Sequence, residues 1–106
     1  MAFAKPNITF TGVLTYGSPV TLLCESPWNY KVKWFKVNSA GQRRTLNSSL
    51  ERSTNLQVQV LNISSLTEKE EGIYLCQLSR AIVNHIAEKM VNIIIKGKAR
   101  ICFFKY

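Results

Sequence analysis

His85 is the single histidine, and the chain contains no aspartate that could orient it, so a Ser-His-Asp triad lacks its buried acid. Carboxylates come from glutamate alone. Glu68, Glu70 and Glu71 crowd one polar turn and Glu88 stands apart, which describes a solvated turn better than an acid/base pair facing across a cleft. Cys24, Cys76 and Cys102 lack the clustered spacing of a zinc or iron–sulfur site, and one histidine cannot complete a ligand set. No glycine run resembles a phosphate-cradling loop. The sequence therefore predicts a protein that is not an enzyme and uses no metal or other cofactor.

The remaining chemistry is recognition. A net charge of +8 on 106 residues gives a field able to draw in nucleic acid, sulfated glycan or an acidic protein. Basic residues gather at Lys31/Lys33/Lys36, Arg43-Arg44 and Lys96/Lys98/Arg100 and are otherwise dispersed. Tyr30 and Phe35 interleave with Lys31 and Lys33, yet no nucleic-acid-binding motif is present, and nucleic acid is not the expected partner. A sulfated glycan held by Lys31, Lys33, Arg43 and Arg44 is the better ionic alternative. Three Asn-x-Ser/Thr sequons, at Asn7, Asn47 and Asn62, exceed the one or so that eight asparagines would give by chance, and mark candidate N-glycosylation sites. Glycan attachment requires the secretory route, which also permits disulfides.

These groups must be positioned by β-strands, since the chain shows short β-prone runs separated by turn residues and neither a convincing helix nor an internal repeat. Residues 8–14 predict a first strand, and the alternation of Val20, Leu22 and Cys24 places those three on a core face. Ser26 to Asn29 is expected as a loop. Residues 30–37 form the next strand with Val32 and Trp34 inward, and 42–46 make a short edge strand. Residues 47–54 are polar and expected to be irregular. Leu56, Val58 and Val60 alternate, but Leu61 and Ile63 carry the apolar series in the other parity, which predicts a β-bulge or a shifted strand start. Residues 73–79 place Tyr74, Cys76 and Leu78 inward; 80–85 turn the chain, and 87–96 form the last strand.

Cys24, Trp34 and Cys76, with Gly72 and Tyr74 inside the run Glu70-Glu71-Gly72-Ile73-Tyr74-Leu75-Cys76, resemble the frame of an immunoglobulin-superfamily domain over nearly the whole chain. The resemblance implies an all-β, Greek-key sandwich of two antiparallel sheets with one inter-sheet disulfide, Cys24–Cys76, packed on Trp34. Closing a loop of this length stabilises by about 4 kcal/mol in the chain-entropy model. It also implies a tyrosine corner at Tyr74, whose hydroxyl bonds a backbone group. Glu70 stands where the family carries aspartate, with Arg52 or Lys36 as the expected cation. The interval between the two cysteines is short for an antibody variable domain, so the likeness is to an intermediate-type or shortened variable-type domain.

Residues 1–97 are expected to form the domain and 98–106 a basic and apolar tail. In that tail Cys102 either joins two chains or lies beside a Phe103-Phe104 pair packed on the domain. No stretch is apolar over the roughly 20 residues that span a bilayer, so a membrane anchor is expected only in parts absent from this chain. The resemblance implies a module on the extracellular side of the plasma membrane, or secreted, that recognises protein in immune signalling or adhesion. Its rival is an intracellular structural domain of a cytoskeletal or muscle array. Parity puts Lys33, Phe35, Leu75 and Gln77 outward on the sheet the family labels C, F and G, a small apolar patch for a counter-receptor or a second copy. The loops holding Trp28 and Tyr30, and 81–86, offer a second candidate at one end.

Overall fold

A computed structural model describes residues 4–96. Eight strands form: β1 (Asn7–Gly12), β2 (Val20–Pro27), β3 (Lys31–Val37), β4 (Arg43–Leu46), β5 (Ser49–Arg52), β6 (Leu56–Ile63), β7 (Gly72–Arg80) and β8 (His85–Ile93), with a 3-10 turn at Ala81–Val83 before the last. They assemble into two four-stranded sheets, sheet A in the order β1-β2-β6-β5 and sheet B in the order β4-β3-β7-β8, with every pairing antiparallel. The expected all-β sandwich of two antiparallel sheets is the one observed. Among the described residues no helix is long and apolar enough to cross a membrane.

Alternation sorts the side chains between core and surface. Val20, Leu22 and Cys24 from β2 and Leu61 and Ile63 from β6 meet Val32 and Trp34 from β3, Tyr74, Cys76 and Leu78 from β7, and Ile93 from β8. Cys24 and Cys76 join the sheets across 52 residues of sequence, with an S–S length of 2.02 Å. Trp34, fully buried beside them, donates its indole N–H to the Gln59 carbonyl at 2.9 Å. Gly12, at φ +105, lies where β1 gives way to the loop before β2; a Cβ there would meet the Pro19 carbonyl oxygen at 2.5 Å. Only glycine fits that approach without strain.

Four expectations need correction. Residues 47–54 are not irregular throughout, because Ser49–Arg52 pair with β6 as an edge strand. Its exposed residues give an edge strand of mixed polarity no periodic signature. No bulge interrupts β6, whose register against β2 is continuous from Val20↔Ile63 to Pro27↔Leu56. Leu61 and Ile63 set the inward parity, and its continuation to the strand's start places Gln57 inside, with Leu56 half exposed on the outer side. The segment expected as a loop at 26–29 begins only after Pro27. The last strand starts at His85 rather than Ala87, once Asn84 has reversed the chain in the left-handed region at φ 51, a conformation asparagine tolerates better than most residues.

Candidate functional site

The frame residues occupy structural positions. At the crossing from β6 to β7 the Tyr74 hydroxyl donates to the Glu70 carbonyl oxygen. Burial, with the Glu70 charge behind it, pushes the phenol up to about 12, so it stays a neutral donor at any physiological pH. Among the described residues Glu70 forms no direct ion pair with either expected cation, although the Lys36 charge adds a smaller share to holding its pKa down. Its carboxylate accepts from the Thr67 hydroxyl and the Thr67 backbone N–H, a three-residue closure that holds its pKa below the ordinary value. Lys36 lies over the Tyr74 ring at 5.2 Å and donates to the Lys69 carbonyl, while Arg52 stacks on Trp28 at 5.2 Å. Thr67 thus supplies the carboxylate's direct hydrogen bonds, and Lys36 acts on it only through its charge.

At one end of the sandwich the two aromatic residues part company. Trp28 is half exposed and pins the β5–β6 turn through its indole N–H to the Ser53 and Leu56 carbonyls. Tyr30, expected in the open, is buried at 7% exposure, edge-on to His85 with ring centroids 5.9 Å apart. Trp28, Arg52, Arg80 and Ile82 contribute to a cleft of about 460 Å³ at this end. The residue unforeseen from sequence is Gln57. Its amide nitrogen lies 3.1 Å from Ser26 Oγ and 2.9 Å from the Pro27 carbonyl, and also reaches the carbonyls of Trp28 and Tyr30. One buried amide thus ties β6 to the β2–β3 turn, which is also closed by the Tyr30 N–H on the Pro27 carbonyl at 3.3 Å.

The outer face of sheet B is the broadest functional candidate. The register aligns Thr45, Phe35, Leu75 and Met90 in one row across all four strands. Next to it runs Arg43, Val37, Ile73 and Asn92, and on the other side Lys33, Gln77 and Glu88. Lys33, Phe35, Leu75 and Gln77 therefore do share this face. The expected exposure of Leu75 is wrong, however: it is fully buried although it stands outside the inter-sheet core. A side-chain strap runs over this row. Arg43 on β4 and Glu88 on β8 form a bidentate pair at 2.6 and 3.0 Å, and Gln77 donates to the same carboxylate at 2.8 Å. Joining the two outermost strands of sheet B, that diagonal must cross the Phe35–Leu75 row. The Arg43 guanidinium lies 5.9 Å from the Phe35 ring centre on the way.

Hydrogen bonds from Arg43, then from Gln77, hold the Glu88 carboxyl below its ordinary value of 4.5. A depressed carboxylate contributes stability that is present above its unfolded pKa and lost as pH falls through the folded one. The Leu75 methyl resonances should accordingly stay fixed from pH 7 down to about 5 and move below about pH 4.5 as the strap releases. Glu88→Gln, which removes the charge, should abolish that titration; a Leu75 shift that persists in the variant would assign it to another carboxylate.

Of the four cations expected to hold a sulfated glycan, three share the outer face of sheet B on adjacent strands and one does not. Lys31 and Lys33 share the outer face, Arg43 is engaged by Glu88, and Arg44, paired with Lys36 in the opposite parity, does not share their face. Among the described residues no cluster of three or more His, Cys, Asp and Glu side chains could hold a metal. Cys102, Phe103 and Phe104 lie outside the described residues. Asn7, Asn47 and Asn62 are all exposed. Compared with known proteins, residues 5–79 match the family described as "Immunoglobulin domain". No curated protein matches the chain.

Proposed function

We propose, from the premise that this chain belongs to the immunoglobulin-domain family, that it is the recognition domain of a cell-surface or secreted protein and docks another protein through the outer face of sheet B. The observation that carries this reading is the apolar make-up of that face. Phe35, Leu75 and Met90 form one row and Val37 and Ile73 the next, and Met90 and Ile86 are more than half exposed. A sheet face that had only to meet water would alternate to polar residues at these positions. Lys33 stands beside the apolar row and the Arg43–Glu88–Gln77 strap crosses it, so charged and hydrogen-bonding groups lie next to the exposed Met90 and Ile86, a mixture of apolar and polar surface common to protein interfaces. The inter-sheet disulfide supports an oxidising compartment, and that favours a surface receptor or adhesion protein over a domain of an intracellular array.

The test uses the secreted full chain, displayed as a tetramer and offered to a panel of intact cells, with sedimentation of the untetramerised chain alongside. Lys33→Glu with Met90→Glu changes two exposed positions and should leave the fold intact while reducing cell staining, or self-association, more than tenfold. Staining that survives the double variant would remove the docking site from this face. Loss of staining after heparinase treatment of the cells would transfer recognition to sulfated glycan instead.

A further inference from the structure

All three sequons stand where strand parity or a connection turns asparagine toward solvent, and two of them share a face. Asn62 occupies an outward position of β6 between the buried residues Leu61 and Ile63. A slip of one residue in register would put it in the core. Its Oδ1 accepts from the Thr21 hydroxyl at 3.0 Å, which orients the amide with Nδ2 toward solvent, and the sequon hydroxyl of Ser64 is exposed just beyond the strand. Asn7 opens β1 opposite Glu25, also outward, and donates to that carboxylate at 3.2 Å. An N-linked asparagine keeps one N–H, so this bond survives modification. The registers Thr21↔Asn62 and Asn7↔Glu25 put the two residues four positions apart along β2 and on either side of it. That is about 16 Å on one surface at ordinary strand spacings. Asn47 lies in the connection from β4 to β5, at the border between the sheets.

The outward row positions of sheet B contain one asparagine, Asn92, and Ile94 two residues on denies it a sequon. From this distribution we infer that Asn7 and Asn62 carry N-linked oligosaccharides that cover the outer face of sheet A, and that sheet B's outer face is the one kept free of glycan. The donor is a lipid-linked oligosaccharide diphosphate. The side-chain amide nitrogen bonds to C1 of its first sugar, the C1–O bond breaks, the lipid diphosphate leaves with the electron pair, and the amide proton passes to the transferase's base. Nothing is oxidised or reduced. A flexible, hydrated chain of sugars on sheet A denies that face to any tight protein contact, and the domain is left with a single dockable sheet. The glycan assignment shares with the proposed function only the secretory route, while the division of the two faces rests on docking through sheet B.

The full chain, led into the secretory route of cultured animal cells, should yield peptides bearing hexosamine-linked glycan at Asn7 and at Asn62, released by peptide-N-glycosidase. Ser64→Ala should remove the glycan from Asn62 alone, although the asparagine is retained. A secreted, disulfide-bonded chain with an unmodified Asn7 or Asn62 overturns the assignment and leaves the docking proposal untouched. Enzymatic removal of the glycans should change cell staining by the tetramer less than twofold, in contrast to the effect of Lys33→Glu with Met90→Glu; loss of staining on deglycosylation would overturn the division of the two faces.

Discussion

The chain carrying Cys24→Ala and Cys76→Ala should unfold about 4 kcal/mol more easily than the native chain, within the roughly 2–5 kcal/mol that small domains lose with a native disulfide. The crosslink closes 52 residues, and in the chain-entropy model most of its effect is exerted on the unfolded state, which without it explores far more conformations. Both half-cystines are fully buried against Trp34, so alanine also leaves unfilled space between the sheets. A domain of this size commands only about 5–15 kcal/mol in total, and the loss would bring it close to its unfolding transition at body temperature. Urea midpoints for the oxidised chain, the reduced chain and the double variant separate the contributions. Reduction removes the crosslink but keeps both sulfurs, so the further drop to the double variant reads the packing term. A total change below 1 kcal/mol would mean that the sheets are held together without the bond.

The frame was legible because its residues combine types and spacings that few other folds require. Cys24, Trp34, Tyr74 and Cys76 alternate in strict parity, and the structure finds each of them buried where parity put it. Parity also assigned Leu75 to the outer face correctly, but direction is not exposure. Across its row runs an ion pair between Arg43 and Glu88, 45 residues apart in sequence, and nothing local announces that two such side chains will meet. Glu70 failed for the opposite reason. A partner was sought across the fold, whereas Thr67, three residues away, satisfies the carboxylate first. Short-range closure costs less chain entropy than a long reach, and it won.

β6 shows the same limit in its sharpest form, and Gln57 is where it can be tested. Apolar periodicity left two parities open, Leu56/Val58/Val60 and Leu61/Ile63, and only the second, extended back through polar positions, buries Gln57. Gln57 is 5% exposed, and its amide supplies hydrogens to the carbonyls of Pro27, at the end of β2, and of Tyr30, just before β3. Gln57→Leu restores an apolar residue of similar volume to an inward strand position, so if apolar burial governed this site the variant would be as stable as the native chain, or more so. The expected result is a loss of about 1–3 kcal/mol, because the Tyr30 carbonyl loses its Gln57 donor, whereas the Pro27 carbonyl keeps the Ser26 hydroxyl and the Tyr30 N–H. Gln57→Ala should lose somewhat more, adding a cavity to the same lost donor. Chemical denaturation gives the magnitude, and the Tyr30 and His85 ring resonances give the location, since loosening the turn separates a contact now at 5.9 Å. A Gln57→Leu chain with native stability and unshifted rings would show that the turn holds itself and that the glutamine amide is incidental.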